Sequence, residues 1–156
     1  MPVRMELSRI LIRELTEMQL IELREVVPDG TDAADIRSFP IVIGLPEATA
    51  IERRLKGIQI KRPQTHDLLA SVIGNMGGEL VSITINDLSD HTFFATLDVK
   101  AADGQVLHID SRPSDAIALG VSEGVPIYVE EHVLESASRD PEMESGSEDP
   151  ADGDEE

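Results

Sequence analysis

Cysteine is absent from this chain, which excludes disulfides, thiolate zinc sites and cysteine nucleophiles; any metal would have to be held by oxygen or imidazole. Aromatic residues make up only 3% of it, and two of the three phenylalanines, Phe93 and Phe94, are adjacent. In a strand one of that pair at most faces solvent, so a base-stacking platform for nucleic acid is not suggested. No run reaches the ~18 apolar residues that a membrane helix needs, and the opening MPVRMELSRI has no apolar stretch fit for a signal peptide. The expectation is a cytoplasmic protein with no membrane partner. Nor is there a phosphate-binding loop, a dinucleotide-binding glycine fingerprint or a zinc signature, and GNMGG reads better as a helix stop than as a phosphate cradle.

Positive charge is scarce as well. The chain of 156 residues carries 31 acids against 13 Lys and Arg, a net charge of −18. From Ser136 onward there are nine acids, one base and almost no large apolar residue, so 136–156 reads as a disordered acidic tail that cannot bury enough surface to offset the entropy of ordering. Residues 1–135 keep 22 acids and 12 bases and form one domain by length. Such a balance disfavours a polyanionic partner, which is bound mainly through Lys and Arg. One segment departs from it: RRLKGIQIKR, from Arg53 to Arg62, holds five bases and no acid. A solvated helix face explains it as readily as a nucleic-acid contact through Arg53, Arg54, Lys56, Lys61, Arg62 and Arg112.

Hydrophobic patterning predicts an α+β domain with a mixed sheet of about seven strands and three helices. MELSRILIREL and MQLIELREVV read as a hairpin joined near Thr16 and Glu17, and FPIVIG (Phe39–Gly44) as a short buried strand after the polar loop Pro28–Asp35. Pro46 and Gly57 bracket a first helix with a stripe of Ala48, Ile51 and Leu55. Thr65 is the N-cap candidate of a second, whose Leu68, Leu69, Val72, Ile73 and Met76 recur at helical spacing before Gly77 and Gly78. Three strands in meander follow, turning at Ala102, Asp103 and Gly104, then a third helix from Pro113 to Val121 and a closing strand VPIYVEE from Val125.

Each helix opens with an acid in its first turn: Glu47, Asp67 and Asp115. Helix dipoles and unpaired N-terminal amides favour carboxylates there by roughly 0.3–1 kcal/mol each, so capping alone accounts for all three. Two neighbours are not required by capping: His66 beside Asp67, and Arg112 beside Ser114 and Asp115. If the three starts converge, they supply carboxylates for a hard cation, an imidazole for proton transfer and guanidiniums for phosphate oxygens. His91, His108 and His132 have no ligand spacing and read as structural or solvated.

Three segments, FPIVIGLPEATAI (Phe39–Ile51), KRPQTHDLL (Lys61–Leu69) and HIDSRPSDAIALGVSEGVPIYVEE (His108–Glu131), resemble in order and spacing the bifunctional nuclease family, proteins of bacteria and plants whose named activity is cleavage of both DNA and RNA. The resemblance spans essentially residues 5–135. It implies a compact α+β fold, a self-associating protein (dimer or higher) and a nuclease with DNA or RNA as substrate. Carried over position by position, it marks Glu47, His66, Asp67, Arg112, Ser114 and Asp115. On that basis Glu47, His66, Asp67 and Asp115 are the expected catalytic groups; Glu47, Asp67 and Asp115 are the expected ligands of a Mg²⁺ or Mn²⁺ ion. Arg53, Arg54, Lys61, Arg62, Arg112 and Ser114 are expected to grip substrate. The alternative is a non-catalytic oligomeric module whose helix starts bind a small anion or a protein partner.

Overall fold

Two three-stranded antiparallel units, stitched by one short strand, account for the sheet of the computed structural model, which describes residues 1–139 apart from 14 and 17. The first unit comprises β1 (Val3–Leu11), β2 (Met18–Glu25) and β3 (Ser38–Gly44). The second comprises β4 (Glu79–Ser89), β5 (Thr92–Lys100) and β6 (Val106–Ser111). Between them lies β7 (Ile127–Val129), antiparallel to β1 and parallel to β4, giving the order β3-β2-β1-β7-β4-β5-β6. The weak alternation of the first strand has a local cause: the β1–β2 register slips between Leu7 and Arg9, and such a bulge breaks the two-residue period. The buried Gln19 ties down the connecting turn by donating from Nε2 to the carbonyls of Arg13 and Thr16 at 2.9 and 2.7 Å.

One sheet face packs against helices α1 (Leu45–Lys56), α3 (Pro113–Glu123) and α4 (Glu131–Arg139), with α2 (Thr65–Asn75) lying against α3 and β4. Core residues alternate along the strands as the period-2 pattern requires: Ile83 and Ile85 on β4, then Phe93, Ala95, Leu97 and Val99 on β5. Phe93 stacks on Phe39 with ring centroids 5.4 Å apart, and its neighbour Phe94 faces out. Along α3, Ala116 to Gly120 are all buried. Gly120 sits 3.6 Å by its would-be Cβ from Ile83 and Val125, so a small residue there lets the helix lie close on β4.

Four features differ from the sequence expectations. The α1 stripe turns inward one residue earlier than predicted: Ala48 and Ile51 are buried, Leu55 is exposed, and Arg54 takes the third inward position, since i+3 and i+4 share a helix face. Gln64, rather than Thr65, precedes the first turn of α2, and its N–H donates to the Asp67 carboxylate at 2.9 Å. His91 does not start a strand; it sits in the β4–β5 turn with Asp90, both at positive φ (61° and 49°), the left-handed pair that a two-residue hairpin turn demands. A fourth helix, finally, stands where a strand end and the start of the tail were expected. The spacing of Val133, Leu134 and Ala137 is helical, and all three are buried, so the domain runs on to Arg139. The rest of the expected disordered tail, 140–156, lies outside the described residues.

Because Leu134 is fully buried, Leu134→Ala should cost about 2–5 kcal/mol, the range for large-to-small core changes. Urea unfolding measures it. A cost below about 0.5 kcal/mol would remove α4 from the core.

Candidate functional site

The site grows from three helix starts that the sheet brings to one end of the fold. Gly44 ends β3 in extended backbone and leads into α1, whose third residue is Glu47. The Glu47 side chain lies back over Gly44; any side chain at position 44 would collide with Oε2. Arg112 immediately precedes α3, and Pro113 in the first helical position needs no N–H partner. Its guanidinium donates from Nε and Nη2 to both oxygens of Asp115, at 2.8 and 3.2 Å, and from Nη1 to Glu47 Oε1 at 3.2 Å. Asp115 Oδ1 also meets His66 Nε2 from α2 at 2.8 Å. Glu47, Arg112, Asp115 and His66 therefore form one run of contacts across α1, α3 and α2. Capping does not account for side chains from three helices meeting one another.

Burial raises the Asp115 carboxyl, but hydrogen bonds from Arg112 and His66 and their charges outweigh it, and the group is held below its usual range. Arg112 is shifted up, first by its bond to Asp115 against desolvation, then by Glu47. With Nε2 at the Asp115 carboxylate, the His66 ring is oriented and its Nδ1 is left as the second pole.

Asp67 does different work. Its carboxylate accepts from Arg53 Nη2 at 2.9 Å, from Arg54 Nη1 and from the Gln64 N–H, and these partners override the rise that burial alone would cause. Arg54 is the buried member, with a side chain 4% exposed, and its Nε donates to the Ala118 carbonyl of α3 at 2.8 Å. One guanidinium thus ties α1 to α2 and α3, which leaves Arg54 no reach to a substrate. The basic segment divides accordingly: Arg53 and Arg54 face inward, Lys56 pairs with Glu52 at 2.5 Å, and Lys61 and Arg62 are exposed in the α1–α2 connection.

Arg112 and Glu47 edge a groove of about 640 Å³ lined also by Ile41, Ile43, Thr92, Ser114 and His91. Ser114 is 6% exposed and contributes to its floor. His91 also borders the groove: nothing in its spacing links it to the helix starts, and the left-handed turn carries it there.

The carboxylates do not fit a protein-built metal cage. Among the described residues no three His, Cys, Asp or Glu side chains gather in a group able to hold an ion. Arg112 occupies the space between Glu47 and Asp115, and Asp67 is turned to Arg53 and Arg54. Likewise, among the described residues no helix is long and apolar enough to cross a membrane.

The bifunctional nuclease domain is the family whose sequence model matches this chain, over residues 31–142. Two curated Mycobacterium tuberculosis proteins, one from each of two strains and both described as uncharacterized, are 42% identical to it over 101 residues. That alignment covers 65% of this chain and 59% of each relative, so the chain spans less than two thirds of the relatives' length.

Asp67 and Asp115 are both depressed, so the stability they contribute is present above the unfolded carboxyl value of about 3.9 and is lost as pH falls through their lower folded values. Asp67→Asn should lower the urea midpoint at pH 7, and the gap to wild type should close below about pH 4. A gap that persists unchanged into strong acid would mean that the Asp67 charge does not brace the helices.

Proposed function

Because the chain belongs to the bifunctional nuclease domain family, we propose that it hydrolyses phosphodiester bonds of DNA and RNA at the cluster of Glu47, His66, Arg112 and Asp115. What supports this most is the single run of hydrogen bonds from Glu47 through Arg112 and Asp115 to His66, whose Glu47 and Arg112 end lines an open groove. Arg112 is the one guanidinium of the cluster, 62% exposed, and it presents a planar fork suited to two phosphate oxygens. Its single contact to Glu47, at 3.2 Å, gives way when a phosphate arrives. The first turn of α3 adds the positive end of a helix dipole beneath the same phosphate, with Ser114 in that turn.

Asp115 fixes His66 with the proton on Nε2, so Nδ1 is the basic nitrogen. That nitrogen takes the proton from an attacking water as the new P–O bond forms and the old one breaks; the leaving oxygen is reprotonated from solvent or from the imidazolium. A water nucleophile needs no 2′-hydroxyl, which fits one site acting on both nucleic acids. Arg112 and the α3 dipole carry the charge that develops on phosphorus oxygens. Glu47 holds Arg112 in place before substrate enters, and Lys61 and Arg62 offer exposed charge for the flanking backbone.

The test uses purified full-length wild type, Arg112→Gln and His66→Ala on single-stranded DNA, duplex DNA and RNA, with added Mg²⁺ or Mn²⁺ and with chelator. Each variant should lose about 10²- to 10³-fold in cleavage rate while its circular dichroism spectrum stays that of the folded protein. Equal cleavage by all three proteins points to a contaminating nuclease and sinks the proposal. Tight oligonucleotide binding without turnover by wild type supports the non-catalytic module instead.

A further inference from the structure

Away from the groove, a second cavity of about 220 Å³ opens between the C-terminal halves of α2 and α3 and the start of β4. Ile73 of α2, Leu80 of β4, Leu119 of α3 and Val125 give it apolar walls. Leu80 and Leu119 are themselves buried, so the cavity reaches down to the core. An enclosed apolar cavity of about 150 Å³ is large enough to bind benzene, so this space has room for a ring with a short appendage. Its lining shares no residue with that of the groove.

Ala70, Ile73 and Gly74 share one face of α2 at i, i+3 and i+4 and form its wall of the cavity. Neither backbone nor packing requires the glycine. Gly74 is not in the left-handed region, and a Cβ built on it meets no atom within 4 Å. Gly78, by contrast, closes the helix: its N–H donates to the Ile73 carbonyl at 2.9 Å, and a Cβ there would press on the same oxygen at 3.1 Å. Alanine at position 74 would favour the helix, so the bare position keeps the wall open at a cost to α2. That helix has little stability to give away, since none of its residues is buried.

The charge around the cavity has one sign. Glu123 follows Leu119 by four residues and so shares its face of α3. Glu79 lines the cavity too, but its pairing with Lys100, next to the inward pair of Leu80 and Val99, sets both on the other face of the sheet. Glu123 therefore supplies the carboxylate. None of the described lining residues is Lys, Arg or His, and neither α2 nor α3 has a base in its last turn, so the partial negative charge of both helix ends is unmatched. We propose that this cavity binds a small organic cation, an ammonium on an apolar body of about seven carbons, with the body against Ile73, Leu119 and Val125 and the ammonium at Glu123. Occupancy braces α2 against α3 and β4. The chain's own segment 140–156 is a poor rival occupant, since its nine acids and no base are repelled by Glu123. Binding does not depend on the nuclease reading, because no lining residue belongs to the groove.

Benzylamine and its neutral counterpart of nearly equal size, benzyl alcohol, are the probes, added to the full chain at neutral pH and matched ionic strength. Benzylamine should move the amide resonances of Gly74, Gly78 and Val125 with a Kd of about 1 mM, and benzyl alcohol should bind at least about fivefold more weakly. Glu123→Gln should remove that preference by weakening benzylamine alone. Gly74→Leu, whose side chain has room to fill the cavity, should abolish binding of both probes with an unchanged circular dichroism spectrum. Equal affinity of wild type for the two probes, a preference that survives Glu123→Gln, benzylamine binding that survives Gly74→Leu, or no shift at about 20 mM would overturn the assignment.

Discussion

A single buried guanidinium holds the helices in register. Arg54 takes an inward position on α1 where the apolar stripe predicts a leucine, and it spends its donors on Asp67 of α2 and on the Ala118 carbonyl of α3. Asp67 directly follows His66, and Ala118 lies three residues past Asp115, less than one helical turn away. Both ends of the 2.8 Å contact between His66 and Asp115 are therefore set within one short step of Arg54. An unpaired charge in that position would be costly, by about 3–5 kcal/mol when one partner of a buried pair is removed, so the arrangement is specified rather than merely compatible. α2 needs such a tie more than the other helices do. None of its residues is buried, and its apolar stripe gives it little grip on the rest of the fold.

The acidity of the chain opposes the proposed phosphodiester substrate until the charges are placed. Most of the carboxylates near the helix starts are already matched: Asp67 by two guanidiniums, Asp115 by Arg112 and His66, Glu47 by Arg112. Arg112 serves two acids at once and is itself mostly exposed, so its guanidinium stays within reach of an arriving phosphate. Attraction over long range is not available to such a protein; recognition must rest on short-range geometry.

Local rules made much of this legible. Glycine and proline punctuation placed α1 and the start of α3, period-2 alternation placed the meander, and adjacent Phe93 and Phe94 divided between core and solvent as a strand requires. The residues that would not yield were those whose role depends on another segment. Arg53 and Arg54 look like substrate contacts in a basic run, because nothing local says that Asp67 waits across the α1–α2 connection. Asp67 looks equivalent to Glu47 and Asp115, because all three hold first-turn positions, yet only a three-dimensional placement separates the brace from the site. His91 depends on a turn conformation, and α4 on a core that the preceding strands must first create. The convergence of Glu47, His66, Arg112 and Asp115 was likewise conditional in the sequence, since spacing along a chain cannot bring three segments to one point.

These four side chains are proposed to form one phosphate-handling site. A crystal structure with a hydrolysis-resistant phosphorothioate dinucleotide tests it most directly. The phosphate should lie in the groove, bound by the Arg112 guanidinium and the first turn of α3, with the Arg112 contact to Glu47 released and His66 still on Asp115. A phosphate held only at Lys61 and Arg62, with the Glu47–Arg112–Asp115 contacts intact, would contradict it.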